Sequence, residues 1–136
     1  RRILLSDENR RYVVPSAPGK RFSGDTKITD LLYACHEQAM KGQAFDVPFE
    51  AIRARYVDIT AALSLRVDIA AELEAIRKRI PQEKKPDYAA SSGEYLNGLL
   101  LADYLGWDFI DPAECIFSTK TGSLTASGRR SSAPTP

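Results

Sequence analysis

Tyr12–Val13–Val14–Pro15–Ser16–Ala17–Pro18–Gly19–Lys20–Arg21, followed shortly by Thr26–Lys27–Ile28–Thr29–Asp30, is the stretch on which the fold turns. An aromatic residue and two β-branched residues stopped by a proline read as a short buried strand. The Pro, Ser, Gly and Lys that follow make a loop, and Asp25 or Thr26 is placed to cap the next helix. A strand, a loop opening on a hydroxyl residue and a helix N-terminus form the arrangement in which α/β sheets bind anions, because free backbone N–H groups and the helix dipole converge there. Lys20, Arg21 and Lys27 add positive charge. Ser16, Ala17, Gly19 and Lys20 are therefore candidate residues of an anion-holding loop. The spacing GxxxxGK[ST] does not occur, so it is not a phosphate loop of that class. An ordinary surface loop leading into a capped helix is the plain alternative.

Downstream of the loop the periodicity turns helical. Ile28, Leu31, Leu32, Cys35 and Ala39 form one stripe, which Gly42 ends. Pro48 suits the start of a second helix, whose stripe is Phe49, Ile52, Tyr56, Ile59 and Leu63. Ile69, Leu73, Ile76 and Ile80 form a third stripe, stopped by Pro81. A fourth helix is predicted over residues 88–105, with Leu96, Leu99, Leu100 and Leu105 inward and Gly106 as its stop. Trp107–Asp108–Phe109–Ile110 alternates in polarity and reads as a second strand, after which Asp111 caps a short turn. Upstream, residues 3–5 are an apolar stub that could close a helix. Residues 118–136 are Ser, Thr, Gly, Ala and Pro with little to bury, so disorder or a non-native tail is expected there. The order of elements predicts an α/β protein whose helical excursion separates two strands of one sheet, with further strands needed to complete it.

A second constellation is Ser91–Ser92–Gly93–Glu94–Tyr95. Ser91-x-x-Glu94 is the spacing of a capping box. The same residues also admit a functional reading, since a glycine lets a substrate approach closely and an inward carboxylate would pair with an ammonium group. Asp103, Asp108, Asp111 and Glu114 are better read as caps and solvated positions than as metal ligands. Cys35 and His36 are adjacent, hence about 100° apart around a helix, and make no natural metal pair. The two cysteines, Cys35 and Cys115, are far apart and read as reduced thiols. Nineteen basic residues against eighteen acidic ones leave a net charge of +1, which gives no electrostatic case for nucleic acid or an anionic membrane. No apolar run reaches the ~18 residues of a membrane span. Residues 1–6 are too short for a signal-peptide core.

Taken together and in order, these motifs resemble the aspartate kinases. Members of that family have a strand running into Val-Val-x-Ser-Ala and then Thr-Asn or Thr-Asp with two apolar residues; this chain has Val13–Val14–Pro15–Ser16–Ala17 and Ile28–Thr29–Asp30–Leu31–Leu32. The Pro-Gly-Lys-Arg insertion between them is similar to a monofunctional bacterial subgroup. A Ser-x-Gly-Glu motif opening a helix follows in the family, here Ser91–Ser92–Gly93–Glu94, with Ser92 where Arg or His is common. Phe109–Ile110–Asp111–Pro112–Ala113 matches the family's next strand and turn.

The resemblance implies a partial amino-acid-kinase (carbamate-kinase-like) three-layer αβα sandwich over residues 1–117, helix-rich with few strands. It implies transfer of the ATP γ-phosphoryl to the β-carboxylate of L-aspartate in lysine, threonine and methionine biosynthesis. Ser16 would lie near the acceptor, Thr29 would bind aspartate and Glu94 would hold its ammonium. ATP and Mg2+ are the implied cofactors, a homo-oligomer through C-terminal ACT domains the implied assembly, and the cytoplasm the implied location. The family's Lys-Phe-Gly-Gly, Gly-Arg-Gly-Gly-Ser-Asp and nucleotide-binding Trp-Thr-Asp segments do not occur in these residues. The expectation is therefore an incomplete, catalytically silent piece. A kinase with another acceptor and a non-catalytic helical interaction module are the alternative readings.

Overall fold

Ile28, Leu32 and Cys35 stand at helical spacing and are fully buried, which makes their helix the centre of the molecule. The computed structural model describes residues 1–118 and 124–126. After a short turn of helix α1 (Arg2–Leu5), the chain runs without regular structure to α2 (Ile28–Met40), α3 (Asp46–Ala62) and α4 (Ile69–Arg79). A 3-10 turn (Ile80–Gln82), α5 (Asp87–Leu105) and α6 (Pro112–Cys115) follow. Helix α2 packs on both α3 and α5, and α4 leans on α3 and α5.

The four long helices match the apolar stripes read from sequence, except that Leu63 lies past the end of α3 and is exposed. Phe49, Ile52 and Tyr56 of α3, Leu73 and Ile76 of α4, and Leu96 and Leu100 of α5 all join the α2 core. Gly42 and Gly106 close α2 and α5 in the left-handed region, at φ +66° and +74°, where a side chain would be strained. Asp68 caps α4 by accepting from the Ala71 amide. Pro81 ends α4 by converting its last turn to 3-10 geometry. His36, buried beside Cys35, donates to the Glu83 carbonyl at 2.9 Å and so ties α2 to that turn. Both cysteines are free, and burial pushes the Cys35 thiol up to about 12. No helix of the described residues is long and apolar enough to cross a membrane.

Three expectations are corrected. Residues 12–14 form no strand, and Tyr12 and Val14 are 86% and 95% exposed rather than buried. A strand exists through its partner's ladder, and no described segment lies alongside this one. Residues 107–110 also form no strand. They fold back on α5 instead: Phe109 packs edge-on against Tyr95, with ring centroids 5.4 Å apart. The ring fits because residue 98 is glycine; a Cβ there would stand 2.7 Å from Phe109 Cε2. The sheet predicted from these two segments is thus not formed by the described residues. Their sheet is an antiparallel hairpin, β1 (Ile116–Ser118) with β2 (Leu124–Ala126), in the register Ile116↔Ala126 and Ser118↔Leu124. Strand β2 lies inside the stretch read as disordered or non-native. Residues 119–123 and 127–136 lie outside the described residues.

Candidate functional site

Gly93 brings the two sequence constellations together. It lies one and a half turns into α5 and is buried, and a Cβ built on it would stand 2.8 Å from the Cβ of Ala17 and 3.2 Å from Ile28 Cγ2. Only a residue without a side chain lets the loop and the first turn of α2 come this close to α5. Asn97, one turn further along the same face, donates from its amide nitrogen to the Ser16 carbonyl. Tyr56 reaches across from α3 and donates to the Gly93 carbonyl at 2.8 Å. Burial and the Glu94 charge raise the Tyr56 phenol above its ordinary range, so it stays a donor.

The candidate residues surround this contact. Ser16 is exposed, and Ala17 is half-buried against α5. Thr29 is half-buried in the first turn of α2, next to the Ile28 that meets Gly93. Glu94 follows Gly93 directly, and its side chain is exposed rather than turned inward, a correction to the sequence reading. The capping box is not formed either. Helix α5 begins at Asp87, so Ser91 and Ser92 lie inside it and donate back to the Tyr88 carbonyl. This back-bonding is the usual fate of serine in a helix interior. What the structure assembles is an open surface made of the 16–20 loop, the start of α2 and the Gly93–Asn97 face of α5.

The far end of the loop is held separately. The Arg55 guanidinium, with its side chain 4% exposed, donates from Nη2 to both oxygens of Asp25 at 2.7 Å and to the Thr26 carbonyl at 3.0 Å. Its Nη1 donates to the Gly19 carbonyl at 3.1 Å. Asp25 also accepts from the Arg21 amide at 3.0 Å, from Arg21 Nε at 2.9 Å and from the Thr26 amide at 3.0 Å. The Arg21 hydrogen bonds, side-chain first and then backbone, hold this carboxyl well below the usual carboxylate range, with the Arg55 charge acting in the same sense. Asp25 therefore organises the loop rather than capping α2, whose first turn has no side-chain cap. Arg21 is committed to Asp25, while Lys20 and Lys27 are exposed along with the carboxylates of Asp30 and Glu94, so the surface carries both signs of charge.

Sequence reasoning missed Arg55 and Asn97. Asn97 carries a signal, since it lies three residues after Glu94 and so on the same helical face. Arg55 carries none locally, because it adjoins the apolar stripe of α3 and its partners lie 29 to 36 residues away. Of the acidic set, Asp111 caps α6 by accepting from the Ala113 amide at 2.9 Å, whereas Asp103 lies inside α5 and fastens the loop before α4 by accepting from the Val67 amide at 3.0 Å. Among the described residues no group of three His, Cys, Asp or Glu could hold a metal ion. An open pocket lies between residues 63–66 and 103–106, about 15 Å along α5 from Gly93 at 1.5 Å per residue, and is lined by Asp103 but not by Ser16, Thr29 or Glu94.

No protein-family profile matches the chain. Aspartokinase 3 of Bacillus subtilis (strain 168) is 34% identical over 125 residues, covering 82% of this chain and 27% of that protein. The crystal structure of the Clostridium acetobutylicum aspartate kinase, described as an allosteric enzyme, superposes with a TM-score of 0.85 at 50% identity, covering 90% of this chain and 28% of that one. The chain thus spans a little over a quarter of the length of these relatives. Sequence and fold agree over most of its residues, and the chain belongs to the aspartate kinase family.

Proposed function

We propose that this segment carries the amino-acid acceptor side of an aspartate kinase, an enzyme that transfers the ATP γ-phosphoryl to the β-carboxylate of L-aspartate. The observation that supports the reading is the seating of Ala17 and Ile28 on Gly93, residues whose chain neighbours are Ser16, Thr29 and Glu94. An amino acid with two carboxylates and an ammonium needs donors and one acceptor of opposite charge. Here Ser16 and Thr29 offer hydroxyls, Lys20 and the first turn of α2 offer positive potential, and Glu94 offers a carboxylate for the ammonium. Ser16 would lie toward the phosphoryl acceptor, Thr29 would bind the aspartate and Glu94 would fix its amino group. Ala17, Gly19 and Lys20 would shape the loop along which the phosphoryl group approaches.

Phosphoryl transfer rests on positioning and on neutralising phosphate charge. The described residues supply the first for the acceptor but do not fit the nucleotide and its cation: they include no Gly-rich phosphate loop and no acidic group able to hold a divalent ion. ATP and Mg2+ belong, in this reading, to the rest of the kinase, and no step through them is assigned to these residues. The remaining proposals follow the family: a three-layer αβα sandwich to which residues 1–117 contribute, a homo-oligomer built on ACT domains, and action in the cytoplasm. The isolated chain would bind aspartate weakly and turn nothing over. An NMR titration of the chain with L-aspartate tests this. The amides of Ser16, Ala17, Thr29 and Glu94 should shift while those of Arg66 and Asp103 stay still. A titration that leaves the first four unmoved would remove the acceptor reading from this surface.

A further inference from the structure

We infer that Arg55 and Asp25 are positioning residues for the acceptor surface: their buried ion pair latches the 16–26 loop so that Ser16 and Lys20 are presented beside α5. The inference rests on the acceptor reading above and adds to it two residues that lie outside the surface itself.

The geometry makes the case. Between Pro15 and α2 the chain has no helix or strand, so backbone hydrogen bonding does not set its path beyond the local turn in which the Asp25 amide donates to the Phe22 carbonyl at 3.1 Å. Two fastenings do. One is at residues 16–17, through Asn97 and the Gly93 seat. The other is the Arg55 guanidinium, which binds the Gly19 carbonyl on the near side of the loop tip and Asp25 and the Thr26 carbonyl on the far side. Asp25 closes the turn from within by accepting from the amides of Arg21 and Thr26. Lys20 lies within the Arg55 grip, between Gly19 and Asp25.

Energetics argue that the latch exists to shape the loop. Burying an ion pair costs desolvation that its attraction barely returns, and a well-packed apolar pair is often as stable. This pair carries a further cost, because Arg55 Nε is buried without a hydrogen-bond partner. Stability alone would be served as well by two apolar side chains. What an apolar pair cannot do is hold the carbonyls of Gly19 and Thr26 and the amides of Arg21 and Thr26 in one geometry.

Trypsin tests this on the chain as it stands, because Lys20 and Arg21 are cleavage sites within the loop and Arg79 is a control site at the end of α4. Two variants are compared with the wild type: Arg55→Met, and the doubly apolar Asp25→Leu/Arg55→Met, whose fold is checked by circular dichroism and urea unfolding. Each is digested with and without L-aspartate. The expected result is cleavage after Lys20 and Arg21 at least about tenfold faster in both variants, with cleavage after Arg79 unchanged in the double variant, since proteolysis follows the population of the locally open loop. L-Aspartate should slow loop cleavage in the wild type and lose that effect in the variants. The double variant separates positioning from stability, because its unfolding midpoint should return toward wild type while its loop stays open. Loop cleavage at the wild-type rate in the double variant overturns the latch. Faster cleavage in the variants, with L-aspartate giving the wild-type loop no protection, shows a latch without an acceptor site. That outcome overturns the positioning role by way of the acceptor reading rather than by way of Arg55.

Discussion

Ala17 rests on Gly93 so closely that a Cβ on the glycine would stand 2.8 Å from the alanine Cβ. Seventy-six residues apart in the chain, the two form the hinge point of the candidate site, since one carries Ser16 beside it and the other carries Glu94.

Gly93→Ala should therefore push the loop off α5. The helix gains slightly, because alanine is the better helix former, but Ile28 and Leu32 stand at 3.2 and 3.3 Å on the other sides and leave the methyl nowhere to go. Overpacking of this kind costs about 1–3 kcal/mol. Urea unfolding should show a net loss of stability, and the Ser16 and Ala17 amides should exchange faster with solvent. Unaltered exchange would mean the contact does not hold the loop.

Tyr56→Phe removes the bond from the phenol to the Gly93 carbonyl, 2.8 Å long and buried. Leaving that acceptor unpaired should cost about 1–3 kcal/mol. Helix content should persist, because Phe fills the same space in the α2 core.

Asp25 sets an acid limit. Its carboxyl is ionised more readily in the folded chain than in the unfolded one, owing first to Arg21 and also to Arg55. The contribution is fully present above the unfolded carboxylate pKa of about 3.9 and is lost as pH falls toward the lowered folded value. Asp25→Asn should flatten the fall in stability below about pH 4 while lowering stability at neutral pH. Parallel acid-unfolding curves for the two proteins would exclude Asp25 as the titrating group.

The helices were legible because each carries its own record: a stripe at helical spacing and a glycine or proline at its end. Gly42, Gly106 and Pro81 do what their chemistry predicts. The strands were not legible in the same way. Val13 and Val14 have the right side chains, but a strand is a relation between segments, and residues 12–14 have no partner among the described residues. The Ser91–Glu94 spacing misled for a related reason, since a capping box works only where a helix begins, and α5 begins four residues earlier at Asp87. At the candidate site, Ser16, Thr29 and Glu94 could be named because their motifs are local. Arg55 could not, because an ion pair spanning 30 residues leaves no trace in either neighbourhood.

The most direct measurement is the KM for L-aspartate of an intact aspartate kinase carrying this segment with Glu94→Ala. Loss of a charged partner for the substrate ammonium predicts a rise of at least about tenfold in the aspartate KM, with the KM for ATP changed by less than about twofold. Unchanged kinetics toward aspartate, or an equal rise for both substrates, would contradict the assignment of this surface to the amino-acid acceptor.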